Sequence, residues 1–464
     1  HGLLMTTANI DGRVLVFGGM GHSAAKYPMA IAKTFANNDD WHDDSPDGPV
    51  KASVKINGTE FPVTPAWVIV APADYAPGIN AVVTMHDVIL EVATEFDRSL
   101  EPDRPSFTEH IYPIFENLTK NQWVNAGFAR DFGWGQPYDF TNEEMVQKLA
   151  DSSDSDKAFR SSLFHRIRNP DFKTMEHGKL PPMYGDGMAV PASDPRQWLA
   201  VTKLQYGWLE QWAKGDFVSD WPAGGRQTPQ DFSDRPLSGQ PAALDKASLE
   251  ACLGGPFHPG CEMTWPMRVP LLYDGPFRIE HRQEPAPDYG PVLTSEIALK
   301  VGGPLDGSSP GDVTRWMAVP WQTDTSSCLY AYVGWQANVY LPTFWPARVP
   351  NNLLTQAQYD IIMDTSKRLD EREESLAYYN RKYWLRNLPP RFDYLSSVNA
   401  FLKLWQGVGI AVQQPGPGDS NFPEYMHVET GNEFGSSQDE ELLETPDPTE
   451  LSVSQILPDP RLFR

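Results

Sequence analysis

The segment from Arg315 to Pro350 (RWMAVPWQTDTSSCLYAYVGWQANVYLPTFWPARVP) is the richest local collection of redox-capable side chains in this sequence. It holds four tryptophans (Trp316, Trp321, Trp335 and Trp345), one of the three cysteines of the chain, Cys328, and a single acid, Asp324. Asp324 precedes Cys328 by four residues, and Trp345 follows it by seventeen. A carboxylate beside oxidisable groups adds a means of accepting and returning a proton.

Each of these residues also has a plainer reading. Trp345 on its own is an aromatic of a core or loop. Cys328 is an inert buried thiol, and Asp324 caps a turn. The remaining cysteines, Cys252 and Cys261, are spaced for one bridge but read better as free buried thiols; there is no CxxC and no zinc spacing. His86 beside Asp87 has the composition of an acid/base pair, but sequence neighbours on a strand point apart, which favours a structural role. Asp43, Asp44 and Asp47 in WHDDSPDGPV have calcium-binding side chains without EF-hand spacing, so turns and Asx caps account for them better. GGMGHS (18–23) lacks the Gly-Lys-Ser/Thr ending of a phosphate loop and reads as a turn. The amine and ring of His1 are able to chelate copper; a processed or truncated chain whose N-terminal portion is missing explains that start more simply. Tyr425 and His427 in FPEYMHVE either close a pocket from the tail or belong to a packed strand.

The elements that must hold these groups read as α+β. GRVLVFGGM (12–20), VKASVKI (50–56) and FPVTPAWVIVAPADYAPG (61–78) carry strand-like runs, giving a sheet-rich region over 1–100. TMHDVILEVA (84–93) either continues it or starts a helix. Residues 101–412 form a larger, loop-rich catalytic region with helices predicted at 141–150 (capped by Thr141), 155–168, 195–214, within 245–268, across 354–388 and at 396–406. The 43 prolines and 35 glycines lie mostly in its connections, where sites are often built. Residues 413–464 read as an acidic, Pro/Gly-rich arm that wraps the surface or is partly disordered.

Composition narrows the partners. With 61 acids against 38 bases the formal charge is −23, which argues against nucleic acid or an anionic membrane as partner. No apolar stretch reaches membrane-spanning length. A soluble protein is expected, cytoplasmic or secreted, and the sequence leaves that choice open.

Three motifs carry a resemblance: GGPFHPGCEMTW (254–265), PWQTDTSSC (320–328) and LPTFWPARVP (341–350), with GRVLVFGG, WHDDSPDGPV and WVIVAPADYAPG upstream in the same order. Together they resemble the cysteine tryptophylquinone-dependent amino-acid oxidases, the family of lysine ε-oxidase and glycine oxidase. The resemblance implies a cofactor made from the chain itself, a tryptophan oxidised to an ortho-quinone and joined by a thioether to a cysteine. It assigns the cysteine to Cys328, the tryptophan to Trp345 and an assisting aspartate to Asp324. Trp321 and Trp335 stand as lesser candidates for the tryptophan. His258 matches the histidine of glycine-oxidase-like members, which tilts the substrate toward glycine or another small amino acid, whereas Cys261 departs from the usual isoleucine. The resemblance further implies a companion flavoprotein for maturation, a homo-oligomer, and a separate N-terminal segment of the same precursor.

The chemistry fits that implication. No ordinary side chain is a good two-electron sink, so amine oxidation needs a cofactor. No GxGxxG joins a strand to a helix, so neither flavin nor nicotinamide is expected, and no metal is. A built-in quinone accepts the amine as a Schiff base. Asp324 would remove the α-proton, a role that needs a pKa raised by apolar surroundings. Hydrolysis then gives a carbonyl compound and ammonia, and dioxygen gives hydrogen peroxide. His258 would move protons or orient the substrate, and Arg268 or Arg348 would bind a substrate carboxylate. Two other functions compete: a dehydrogenase using the same quinone, and a non-enzymatic binding module built on the 15 tryptophans and 17 tyrosines.

Overall fold

Alternating sequence in the first seventy residues does form strands, but they pair only two at a time. Strand β1 (Met5–Ala8) pairs with β2 (Val14–Phe17) and β3 (Ser23–Ala25) with β4 (Trp41–Asp43). Strand β5 (Asp47–Val50) pairs with β8 (Ala66–Ile69), and between them β6 (Ser53–Ile56) and β7 (Thr59–Pro62) form a hairpin. All four pairs are antiparallel. This computed structural model describes residues 5–8, 14–171, 178–182, 184–185, 197–225, 232–254, 262–334, 350, 352–382, 384 and 394–434.

Helices dominate from residue 85 onward, and the architecture is α+β. The ambiguous 84–93 stretch is helix α1 (Met85–Phe96). Thr84 and Asp87 cap it reciprocally, and its buried stripe is Met85, Val88, Ile89, Val92 and Ala93. Then follow α2 (Tyr112–Lys120), α3 (Ala126–Phe132), α4 (Glu143–Ala150), α5 (Lys157–Phe164), α6 (Lys203–Lys214) and α7 (Gln240–Glu250). The cap of α4 is Asn142, whose side chain accepts the N–H of Met145, rather than the expected Thr141. Helix α6 starts at a Thr202–Gln205 capping box, later than expected, and stops at Gly215 with φ +87°.

The short α8 (Ser295–Ala298) precedes α9 (Trp321–Gly334), which carries the candidate site. The long helix expected over 354–388 is broken into α10 (Gln356–Met363) and α11 (Leu369–Leu376). The Asp364 carboxylate takes the N–H and hydroxyl of Ser366, and this local turn competes with helical continuation. Helix α12 (Tyr394–Leu404) follows.

Of the acidic tail, residues 413–434 are described: 413–421 lie at or near the surface, and the following strand enters the core. Strands Ile410–Pro415 and Tyr425–Thr430 pair antiparallel, and Phe422, Met426 and Val428 are buried. Their burial links the tail to a core holding Phe107, Phe115, Phe128, Phe140 and Trp212, and extending to Trp321 and Phe401. Each such side chain withdrawn from water is worth about 1.5–3 kcal/mol. Among the described residues no helix is long and apolar enough to cross a membrane.

Candidate active site

Helix α9 begins directly after Pro320, a residue whose fixed φ suits a helix entry. Its first residues are all deeply buried: Trp321 is 2% exposed and Asp324 1%, with Gln322, Thr323, Thr325 and Ser326 similarly enclosed. A polar segment can be buried like this only if its groups find partners, and distant parts of the chain supply them. The Asp43 carboxylate accepts the N–H of Trp321 at 3.1 Å. The Gly21 carbonyl accepts from the Trp321 indole Nε1 at 3.3 Å and from Gln322 Nε2 at 2.8 Å. Ser23 Oγ donates to Gln322 Oε1 at 2.6 Å, and Thr323 Oγ1 lies 2.7 Å from the carbonyl of Phe35.

On its other side α9 packs on α12 and the turn after it. The Trp321 ring meets Trp405 edge-on at 5.3 Å and Phe401 at 6.4 Å. Ser327 Oγ is 2.9 Å from the Tyr394 hydroxyl. Gly21 must be glycine: its φ is +84°, and a Cβ there would fall 2.7 Å from the Trp405 ring.

The acidic loop considered for calcium is spent on protein donors instead. Asp43 serves α9. Asp44 accepts the N–H groups of Met20 and Gly21, which aims the Gly21 carbonyl at α9. Asp47 accepts from the Trp67 indole and from the N–H and hydroxyl of Thr314. Burial pushes the Asp43 carboxyl above its ordinary value, against the lowering effect of hydrogen bonds from Ser45 and Trp321. Among the described residues no group of three His, Cys, Asp or Glu is arranged to hold a metal ion.

Positions 324 and 328 both belong to α9, so their four-residue spacing sets them on one helix face, a turn apart. The side chain of Cys328 and residues Trp335, Trp345, His258, Cys261 and Arg348 lie outside the described residues, as does His1. Arg268 donates to the Gly254 carbonyl at 2.7 Å and stacks on Trp265. Asp87 is the capping partner in α1, and His86 stacks on Phe277. Tyr425 is half exposed, whereas His427 is 7% exposed and packed near Trp123 and Gly78. Burial, then the charge of Lys120, pushes the His427 imidazole down to about 4.

Sequence reasoning missed Asp43, Gly21, Trp405 and Tyr394 as the framework of α9. The signal available was the acid-rich WHDDSPDG loop, which was read only for partners within itself.

Two family models match this chain: the L-lysine epsilon oxidase N-terminal model over residues 2–70 and the L-lysine epsilon oxidase C-terminal domain model over residues 183–345, together about half of its length. The L-lysine 6-oxidase of Marinomonas mediterranea is 28% identical over 357 aligned residues, covering 68% of this chain and 45% of the relative. The chain thus spans less than half the length of that curated relative. The crystal structure of the Schiff base intermediate of L-Lys epsilon-oxidase with L-Lys, from the same organism, superposes with a TM-score of 0.61 at 22% identity, covering 93% of this chain and 68% of that one. A second structure of that oxidase gives 0.62 at 21% identity, over 91% and 67%.

Proposed function

Since this chain belongs to the L-lysine epsilon oxidase family, we propose that it oxidatively deaminates a primary amine of an amino acid, with dioxygen as the electron acceptor. The products are a carbonyl compound, ammonia and hydrogen peroxide. The cofactor in this reading is cysteine tryptophylquinone, made from Cys328 and Trp345. The observation that carries it is the placement of Asp324: fully buried in the first turn of α9, on the helix face it shares with position 328.

The residues present fit such a group. A helix pinned at its start by Asp43, Gly21 and Ser23 fixes where position 328 stands relative to Asp324. Trp321 is poorly placed as the tryptophan of a thioether. It lies seven residues, or about 10 Å along the axis, from position 328. Helical side chains lean toward the N-terminus, and its ring is engaged by Gly21, Trp405 and Phe401. That leaves Trp335 and Trp345, and the FWPARVP context that carries the resemblance favours Trp345. Trp345 is also the last residue the C-terminal family model matches.

When formed, the quinone supplies an electrophilic carbonyl for the amine and a sink for two electrons. The chain's own task is proton handling in a dry site. Asp324 accepts the proton released from the substrate carbon at a carboxylate oxygen and returns it later. Its burial keeps bulk water from competing for that position. His258 moves protons or orients the substrate beside it. A companion flavoprotein for maturation and a homo-oligomeric assembly belong to the same reading.

His258 within GGPFHPG favours a glycine-like substrate, while the curated relative is named for lysine. Peroxide release measured side by side with glycine, L-lysine and a panel of simple amines tests both levels. Release with glycine ahead of lysine supports the finer reading. Release with lysine alone overturns it and leaves the oxidase standing, and release with no amine from protein carrying the cross-link overturns the oxidase.

A further inference from the structure

A second, smaller hydrophobic core packs helix α1 against the short turns at 262–268 and 314–317. Four of its nine buried members are methionines: Met85, Met263, Met267 and Met317, each between 1% and 5% exposed. The larger core, among the described residues, holds one buried methionine, Met426. A buried thioether fills space as leucine does, but its sulfur keeps a soft, oxidisable lone pair. Two of the four lie on the segments that lead into the proposed site. Met263 follows His258 by five residues, and Met317 precedes Trp321, where α9 begins, by four. The Tyr273 hydroxyl donates to the Met267 carbonyl at 2.7 Å and lies 3.9 Å from the Met267 sulfur. A hydrogen-bond donor is therefore at hand for an oxygen added to that sulfur.

We propose that this methionine cluster is an internal trap for hydrogen peroxide, converted to methionine sulfoxide during turnover, with Met263 and Met317 oxidised first. The inference rests on the oxidase reading above, which makes peroxide inside a buried site. The step balances with peroxide alone. The sulfur lone pair attacks one peroxide oxygen, and the O–O bond breaks as the S–O bond forms. The proton of the transferred hydroxyl passes to the departing hydroxide, which leaves as water. Sulfur loses two electrons and peroxide gains them. Packing alone does not account for the distribution, because methionine is a loosely specifying core residue and the larger core does almost without it. The order of oxidation separates the two roles. Peroxide arriving from solvent meets Met29, 90% exposed, and Met20, 75% exposed, before it meets the cluster. Peroxide made inside the protein meets the cluster first.

The test is peptide mass analysis of the cross-linked full chain after turnover with whichever of glycine, L-lysine or the simple amines releases peroxide, with catalase present to clear the solvent. Resting protein treated with added peroxide and no catalase is the comparison. The expected result is one added oxygen on Met263 and Met317 during turnover while Met20 and Met29 stay reduced, and the reverse order with added peroxide. The volume-conserving variant M263L/M317L is expected to start within a few-fold of wild-type turnover and to lose half its activity after fewer turnovers. Peroxide release that leaves all four cluster methionines unmodified overturns the proposal and leaves the oxidase standing. So does oxidation of Met20 and Met29 ahead of the cluster under catalase, or a variant that lasts as many turnovers as wild type. Cross-linked protein that releases no peroxide with any amine overturns the oxidase reading and the trap with it.

Discussion

The carboxylate of Asp43 accepts the main-chain N–H of Trp321 at 3.1 Å, across 278 residues of sequence. The start of the site helix is therefore capped not by its own neighbours but by a loop from the N-terminal region. Side-chain caps are usually local; here the cap also ties two distant parts of the chain together.

Asp43→Ala is expected to cost about 1–2 kcal/mol in urea unfolding, whereas Asp43→Asn, which keeps an acceptor oxygen, loses only a few tenths. The pH dependence separates the charge from the hydrogen bond. Burial raises the folded Asp43 pKa above its ordinary value, so the folded state holds this proton more tightly than the unfolded chain. Its contribution is fully present below the ordinary carboxylate value and is lost as pH rises through the raised one. Asp43→Asn lacks that fall, and an identical pH profile for both proteins contradicts the assignment.

Asp324→Asn preserves the volume of a buried side chain while removing its ability to accept a proton. Turnover of the cross-linked protein is expected to fall by about a hundred- to ten-thousand-fold, the usual weight of a positioned acid or base. The cross-linked fraction, measured separately on the same sample, distinguishes lost catalysis from lost cofactor formation. Turnover within a few-fold of wild type in fully cross-linked protein removes Asp324 from the mechanism.

His427 provides a pH test in another part of the core. Its folded pKa is pushed from 6.5 to about 4 by burial, so the unfolded chain binds the extra proton first as pH falls. Stability from this group is full above about 6.5 and is lost on the way down to about 4, by up to about 3 kcal/mol. His427→Phe removes that loss. His86, also held near 4, and Asp87, raised to about 6, act alike in both proteins and cancel in the difference. A wild-type-minus-variant difference that stays flat between pH 4 and 6.5 contradicts a neutral, buried His427.

Local signals in the sequence were legible where local physics decides. Helices α4 and α6 were expected near where they lie, because apolar periodicity is clear there, although their caps, Asn142 and Thr202, were not picked out. The break after Met363 was not, because Ser366 bonding to Asp364 outweighs a charged, helix-favouring composition. The Asn57-Gly58 turn was legible and overlooked between two alternating runs. The packed-strand reading of FPEYMHVE was legible, and Tyr425–Thr430 is a strand, whereas its partner Ile410–Pro415 went unseen because Pro and Gly outweigh the few apolar residues there. For the site, the Asp324–Cys328 spacing was visible in sequence, and α9 turned it into a shared face. The framework around it was not visible, since partners such as Asp43, Gly21 and Trp405 lie far from Trp321 in sequence, and no spacing rule connects them.

Tandem mass analysis of the peptides covering 316–348, on protein from its native source and beside a visible spectrum, tests the central claim most directly. The account predicts Cys328 joined to Trp345, with oxygen added to the indole, and an absorbance that bleaches when an amine is added. Native protein with unmodified Cys328 and Trp345 and no visible absorbance would contradict it.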